Sequence, residues 1–213
     1  MSDPARARRI GVLVSGRGSN LQALVDAVDS GRLDASIAVV ISNVAGAPAL
    51  ARAARAGIET LVIPHTGWPS REAFDENLAA ALVERDVRLV CLAGFMRRLS
   101  PRFLACFPGP VLNVHPSLLP AFPGTDAPAQ ALAHGVKVAG CSVHLVTAEL
   151  DGGPIVRQAA VAVFPDDSAE TLAARILVEE HRLLPAAVGC ILDGRWRLDG
   201  RRFVETTLSV PPA

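Results

Sequence analysis

The chain has 213 residues, of which 50% are hydrophobic and only 4% aromatic, with no tyrosine. Lysine plus arginine and aspartate plus glutamate number 21 each, so the formal net charge is zero and gives no electrostatic reason to expect nucleic acid or a membrane surface as partner. The apolar residues are mainly Ala, Val and Leu, which is typical of parallel strands buried on both faces and covered by helices.

The first half of the chain alternates short β-branched runs with segments of helical periodicity. The first strand ends in a glycine loop, and Ser70 is placed to cap the helix that runs to about residue 85. Strand and helix in strict alternation predict right-handed βαβ crossovers and a parallel sheet. The predicted strands cover residues 10–15, 37–42, 60–63, 89–93 and 111–114, and the predicted helices cover 19–29, 47–56, 71–85 and 101–107.

The second half departs from this alternation. Two extended runs, 138–146 and 155–164, are separated by a Gly-Gly-Pro turn and predict an antiparallel hairpin. A long helix is predicted over 169–192, followed by a small hairpin between 196 and 203. We therefore predict one α/β domain over residues 1–213 with a Rossmann-like, mostly parallel sheet, in which 1–110 form a phosphate-binding βαβ half and 111–213 a catalytic half.

Cysteine usage and the termini indicate a cytoplasmic protein. The four cysteines form no CxxC pair and are expected to be free, mostly buried thiols in a reducing compartment. The N-terminal segment lacks the apolar stretch and cleavage site of a signal peptide, and no apolar run approaches the length of a membrane span. The cysteines are Cys91, Cys106, Cys141 and Cys190.

A glycine loop, Ser-Gly-Arg-Gly-Ser-Asn at 15–20, lies between the first strand and the first helix. Such loops let backbone N–H groups approach a phosphate at a helix N-terminus, and the side chains of Ser19 and Asn20 can add donors. The loop is not a Walker motif, and Leu21 stands where a GxGxxG motif has its third glycine. The second strand also ends without the acidic residue that binds a dinucleotide ribose, which disfavours NAD. The alternative is a tight turn with Ser19 as a simple helix cap.

The most informative stretch is Asn-Val-His-Pro at 113–116. Asn113 and His115 alternate with Leu112 and Val114, so the two polar side chains are predicted to share one face at the carboxyl end of a strand. An amide N–H and an imidazole aimed at one point suit a developing oxyanion. Asp151, in an Asp-Gly-Gly turn, is the predicted carboxylate that keeps the imidazole cationic and relays a proton through a bound water.

Other chemistries fit the sequence less well. The alternative for these three residues is a buried Asn and His satisfied by backbone groups, with Asp151 a plain turn residue. A GxSxG elbow for a serine nucleophile is absent from the sequence. No metal is expected, because the remaining histidines lack ligand spacing. They are His65, His134, His144 and His181.

These motifs resemble the folate-dependent formyltransferases over about residues 10–194. The matching stretches are LVSGRGSNLQ at 13–22, AGFMR at 93–97, LNVHPSLLP at 112–120 and LDGGP at 150–154. The resemblance implies transfer of the formyl group of 10-formyltetrahydrofolate, a co-substrate, to the amine of 5-phosphoribosylglycinamide in purine (IMP) biosynthesis. It also implies small-molecule substrates as partners. The balanced charge predicts neither nucleic acid nor membrane as partner, and the sequence leaves open whether the protein is a monomer or homodimer.

The resemblance assigns roles to individual residues. Gly18, Ser19 and Asn20 would hold the substrate phosphate, and Glu180 would contact the amine. Asn113, His115 and Asp151 would be catalytic, in agreement with the strand geometry. Three departures from the family pattern bear on affinity, namely Ala148, Leu177 and Arg98. The residues implied to line the folate pocket are Arg71, Met96, Arg97, Arg98, Leu99, Asn113, Thr147, Ala148, Glu149, Leu150 and Asp151.

Three rival functions use nearly the same residues. A hydrolase would deformylate the same folate with water, and a related formyltransferase acts on another amine, that of initiator methionyl-tRNA. A binding module would hold folate or phosphosugar without turnover. We expect neither the preceding regulatory domain of the hydrolases nor the basic surface of the tRNA enzymes in this chain, and the intact Asn113, His115 and Asp151 disfavour a binding module.

Overall fold

The computed structural model describes residues 8–206, so the segments 1–7 and 207–213, including most of the N-terminal stretch considered for a signal peptide, lie outside it. Strands and helices alternate through the first part of this range, as expected. The strands are β1 (Arg9–Val14), β2 (Ser36–Ser42), β3 (Thr60–Val62), β4 (Leu89–Leu92), β5 (Val111–His115), β6 (Val138–Leu145), β7 (Ile155–Ala162), β8 (Trp196–Asp199) and β9 (Arg202–Glu205). The helices are α1 (Ser19–Asp29), α2 (Pro48–Arg55), α3 (Arg71–Val83), α4 (Pro101–Cys106), α5 (Ala127–His134) and α6 (Ala169–Leu192).

A seven-stranded sheet in the order β3-β2-β1-β4-β5-β6-β7 organises the fold, and β8 and β9 form a separate two-stranded ribbon. Neighbouring strands are parallel from β3 to β5, whereas β6 pairs antiparallel with both β5 and β7. The predicted Rossmann-like sheet with an antiparallel hairpin is therefore confirmed. Because the chain leaves β1 towards β2 and later returns to β4 on the other side, the loops after β1 and β4 diverge and leave a crevice at this switch point.

Two apolar layers sandwich the sheet, and strand alternation divides the side chains between them. In β1, Val12 and Val14 pack with residues of α1 and α6, whereas Leu13 packs in the opposite layer with residues of α3 and α4. In β5, Leu112 and Val114 belong to the first layer. Helices on both faces explain why the strands are almost continuously hydrophobic, as parallel strands buried on both sides require.

Side-chain caps fix where several helices begin. The Ser70 hydroxyl accepts a hydrogen bond from the Ala73 N–H at 3.1 Å, which confirms the predicted cap of α3. At the start of α6, Ser168 and Thr171 cap each other reciprocally, and the helix covers the predicted range. Helix α5 was not predicted, because its eight residues lie between turn-forming Asp126 and Gly135, both with positive φ.

The structure also bears on the predictions for the cysteines and for a membrane span. All four cysteines are free, as predicted, but Cys106 and Cys190 are only half-buried. Burial raises the pKa of the Cys91 thiol to about 12, which makes it an inert apolar side chain at neutral pH. Among residues 8–206, no helix has both the length and the apolar character needed to cross a bilayer.

Candidate active site

The glycine loop follows β1 and opens α1 at the switch point. Gly18 is the N-cap residue, with a φ of +75°, and no side chain caps this helix. A Cβ at Gly18 would lie 2.6 Å from the Cβ of Ala49, so only glycine allows α2 to pack against the loop. Ser19 is the first helical residue, and the alternative in which it caps α1 is wrong. The first N–H groups of α1 therefore remain available to an anion.

Asn20 and Glu180 meet at the base of this loop, although 160 residues separate them in sequence. The Asn20 Nδ2 donates to Glu180 Oε2 at 2.7 Å, and both side chains are buried. Burial raises the pKa of Glu180, and the bond from Asn20 opposes part of that rise. One of the two amide hydrogens of Asn20 is thus used on Glu180, and the predicted contact of Asn20 with an anion stays a prediction.

The same pair leaves acceptor atoms for a ligand. Within residues 8–206 the buried Asn20 Oδ1 has no hydrogen-bond partner. A buried acceptor without a partner costs free energy, about 1–3 kcal/mol, until a donor reaches it. Asn20 Oδ1 and the second carboxylate oxygen of Glu180 therefore favour a ligand that brings N–H or O–H groups to this point.

Strand β5 supplies the predicted Asn–His pair. Leu112 and Val114 point into the layer of α6, so Asn113 and His115 share the other face, as predicted. The antiparallel register with β6 places Asn113 opposite His144 and His115 opposite Ser142. His115 is 5% exposed, so its imidazole is held in a largely desolvated position.

The carboxylate of Asp151 reaches this face and lies between two imidazoles. Its Oδ2 is 3.6 Å from His115 Nδ1, its Oδ1 is 3.6 Å from His144 Nε2, and the side chain is 8% exposed. The Gly124 N–H donates to Oδ2 at 2.8 Å. Burial by itself raises the pKa of Asp151, but the contact with His144, the Gly124 N–H and the neighbouring His115 together lower it below its usual value. The carboxylate is therefore ionised at neutral pH.

The backbone of the Asp-Gly-Gly turn explains how the carboxylate arrives there. Asp151 itself has a φ of +49°, in the left-handed region that Asp tolerates better than most residues. A Cβ at Gly153 would lie 1.7 Å from the Leu145 carbonyl oxygen, so the turn can close on the end of β6 only with glycine there. The prediction that the glycines permit this path is confirmed, but by close approach at Gly153 and not by a positive φ at either glycine.

The loop between β5 and α5 orients both His115 and Asp151 through its peptide groups. His115 Nε2 is 2.8 Å from the Phe122 carbonyl oxygen, which can only accept, so Nε2 carries a hydrogen. Two residues later, the Gly124 N–H donates to Asp151. Backbone groups of this kind have no sequence signal, so neither contact was predicted.

His144 belongs to the same cluster, although no role was predicted for it from the sequence. Its Nδ1 donates to the Leu145 carbonyl at 3.0 Å, and its Nε2 lies 3.2 Å from Asn113 Nδ2. The same Nε2 faces Asp151. The only signal that identifies His144 is the β5–β6 register, because opposite residues of an antiparallel pair share a face.

Most residues assigned to the folate pocket lie in two segments, 96–99 and 147–151, which are in contact through Arg98. Arg98 donates to the Ala148 carbonyl, and Arg71 donates to the Arg98 carbonyl, so arginines bridge the segments. Arg97 stacks over the Phe74 ring at 5.6 Å. Met96 and Leu150 are 74% and 53% exposed, whereas Leu99 is buried. Each segment therefore carries one exposed apolar side chain, which suits a flat, partly apolar ligand.

The arrangement as a whole suits proton transfer and the stabilisation of a negative oxygen. The Asp151 carboxylate lies beside the His115 imidazole, and Asn113 adds an amide donor on the same face. Among residues 8–206, no group of three or more His, Cys, Asp or Glu side chains is arranged to hold a metal ion.

Comparisons with known proteins identify a family and similar structures. The family model described as "Formyl transferase" matches residues 8–188. The phosphoribosylglycinamide formyltransferase of Escherichia coli (strain K12) is 44% identical over 199 residues, which cover 90% of this chain and 94% of that protein. A crystal structure of glycinamide ribonucleotide transformylase 1 from Symbiobacterium toebii superposes with a TM-score of 0.92 at 52% identity and covers 95% of both chains.

Some relatives are much longer proteins. The trifunctional purine biosynthetic protein adenosine-3 of Drosophila pseudoobscura pseudoobscura is 48% identical over 192 residues, which cover 89% of this chain but only 14% of that protein. The human protein of the same name is 46% identical over 190 residues, which cover 19% of its length. The similarity to these proteins is thus confined to one part of each.

Proposed function

This chain belongs to the formyl transferase family, and from that membership we propose that it transfers the formyl group of 10-formyltetrahydrofolate to the amine of 5-phosphoribosylglycinamide. The products are formylglycinamide ribonucleotide and tetrahydrofolate, in de novo purine (IMP) biosynthesis. The observation that carries the proposal is the ionised Asp151 carboxylate, 3.6 Å from His115 and on the face that Asn113 shares.

The phosphorylated substrate binds at the switch point. The N-terminal N–H groups of α1 and the Ser19 hydroxyl hold the phosphate, because Gly18 lets the backbone approach it. Asn20 Oδ1 and Glu180 accept hydrogen bonds from the amine or the ribose hydroxyls, which satisfies the otherwise unpartnered amide oxygen. Leu177 adds no polar contact, so the glycine loop supplies most of the anion binding.

The folate binds between segments 96–99 and 147–151. Met96 and Leu150 cover its ring faces, and the peptide groups of 147–151 hydrogen-bond its polar edge. Backbone groups make these contacts whatever side chain stands at Ala148. Arg71, Arg97 and Arg98 surround the site with positive charge, which suits the carboxylates that a folate carries.

The catalytic residues act on the charge that develops when the neutral amine adds to the formyl carbon. Asn113 and His115 donate to the formyl oxygen, for which His115 exchanges its bond to the Phe122 carbonyl. Asp151 lies beside His115 and serves as its counter-ion. It also relays a proton, through a bound water, from the attacking amine to the departing folate nitrogen.

A hydrolase is the strongest rival, since water replaces the amine and the same three residues serve. The acceptor pair of Asn20 and Glu180 favours the transferase, because a reaction with water needs no second subsite for N–H and O–H groups.

One assay separates the candidates. Purified protein is mixed with 10-formyltetrahydrofolate, with and without 5-phosphoribosylglycinamide, and the folate absorbance is followed. Deformylation that requires the amine supports the proposal. Deformylation without the amine identifies a hydrolase, and no deformylation in either mixture leaves a binding protein.

The predictions on partners, assembly state and cellular compartment also stay proposals. We propose a cytoplasmic enzyme, monomeric or homodimeric, that works without a metal ion and contacts neither nucleic acid nor membrane. The zero formal net charge is consistent with small, locally bound substrates. Sedimentation of the purified protein, and its activity after treatment with a chelator, check the assembly state and the metal independence.

A further inference from the structure

The carboxyl ends of three parallel strands are joined by one side chain, Ser15. This residue follows β1 and opens the glycine loop. Its hydroxyl accepts from the Met96 N–H, beyond β4, at 2.8 Å, and donates to Asn43 Oδ1, beyond β2, at 2.6 Å. Its own N–H donates to the Gly94 carbonyl at 3.0 Å. The loop after β1 is thereby tied to the segment after β4.

Asn43 is in turn fixed from its other side. It is 5% exposed, and its Nδ2 is 3.1 Å from His65 Nδ1, in the loop beyond β3. The single hydroxyl hydrogen of Ser15 is used on Asn43, so it is not available to a phosphate. Ser15 therefore contacts two protein segments and donates to no ligand, which is the pattern of a positioning residue.

We propose that Ser15 is a positioning residue that fixes the distance between the glycine loop and segment 96–99, and through them the distance between the two substrates. The proposal rests on the proposed function for the identity of the ligands at these two subsites. Two reactants must be held close together and well oriented to react, and small displacements of either are costly. A hydroxyl that belongs to the glycine loop and accepts from the Met96 N–H maintains this geometry before either ligand arrives.

The test measures each subsite separately. Titration calorimetry with ribose 5-phosphate reports on the glycine loop, and titration with tetrahydrofolate reports on segment 96–99. In Ser15→Ala the Met96 N–H and Asn43 lose their shared partner, and both dissociation constants are expected to rise about 5- to 30-fold. Ser15→Thr keeps the hydroxyl and is expected to restore both.

Partial unfolding gives a different result, because it lowers the binding stoichiometry and leaves the dissociation constants of the folded fraction unchanged. Ser30→Ala is the matched control. Its hydroxyl donates to the Asp26 carbonyl at 2.6 Å, at the far end of α1, and its loss is expected to change neither constant. If Ser15→Ala does not fold, Asn43→Ala removes one of the two bonds and is expected to raise both constants by a smaller factor.

Failure of either probe to bind the wild-type protein would overturn the proposal. A Ser15→Ala protein in which only one of the two dissociation constants rises, or neither, would overturn it as well. Turnover is measured on the wild-type protein in parallel. A wild-type protein that binds both probes and transfers no formyl group contradicts the proposed function. In that case, weaker binding of both probes by the variants still supports the positioning role.

Discussion

The carboxylate of Asp151 is the group most sensitive to a change of one atom. In Asp151→Asn the size is kept and the negative charge is lost, so the imidazole of His115 no longer has a counter-ion and the proton relay is broken. We expect kcat to fall about 100- to 1,000-fold, the loss typical of one oxyanion-stabilising group. His115→Ala is expected to give a loss of similar size. Steady-state rates check this, with the exposed Asp199→Asn as a control that keeps wild-type turnover.

The pH dependence of stability follows from the same carboxylate. Because the pKa of Asp151 is lowered in the folded state, its contribution to stability is complete above its unfolded pKa, about 3.9, and is lost as the pH falls through the folded pKa. We expect the difference in unfolding free energy between wild type and Asp151→Asn to shrink below about pH 4. Urea denaturation at a series of acid pH values measures it. A difference that stays constant into strong acid would contradict the assigned pKa direction.

His144 acts on the reaction through its neighbours Asn113 and Asp151. In His144→Ala, Asn113 loses its contact with Nε2 and the pKa of Asp151 loses one of the influences that lower it. A loss of about 1–3 kcal/mol in transition-state stabilisation is expected, smaller than that of Asp151→Asn. The measurement is kcat against pH. His134→Ala, on the exposed end of α5, is the matched control and should not alter the profile.

At the scale of elements, helix α1 has a glycine just before it and another just after it, and the two glycines give a paired test. Gly18 and Gly31 both have positive φ, but a Cβ at Gly31 meets nothing within 4 Å, whereas one at Gly18 collides with Ala49. Gly31→Ala should cost about 1 kcal/mol of unfolding free energy and keep activity. Gly18→Ala should cost more and also weaken the binding of ribose 5-phosphate, because α2 is pushed off the loop. Equal effects of the two changes on phosphate binding would refute this role for Gly18.

Local signals predicted most of these elements. Helical periodicity and a serine cap identified α3, and the range predicted for the long helix is the range of α6. The two-residue spacing of Asn113 and His115 was enough to place them on one face. Long-range pairing was not accessible in the same way: the register that sets His144 opposite Asn113 depends on where β6 joins the sheet, and nothing within β6 itself specifies this.

At the scale of the whole molecule, the candidate site is assembled from the carboxyl ends of β1, β4 and β5, the turn after β6 and the middle of α6. The sequence predicts which residues lie at the carboxyl ends of the parallel strands, and the topology of such a sheet places these ends along one edge. The contact between Asn20 and Glu180 was beyond prediction, since it depends on how α6 lies across α1. The division into a phosphate-binding half and a catalytic half stays a prediction, and one continuous sheet crosses the proposed boundary.

The central claim is that the formyl group passes from the folate to the amine at the face formed by Asn113, His115 and Asp151. The most direct measurement uses 10-formyltetrahydrofolate labelled with ¹³C in the formyl group and determines by mass spectrometry where the label goes. We predict that the wild-type protein delivers one label to 5-phosphoribosylglycinamide for every folate consumed. Label released as free formate, or transfer that persists at the wild-type rate in Asp151→Asn, would contradict the account.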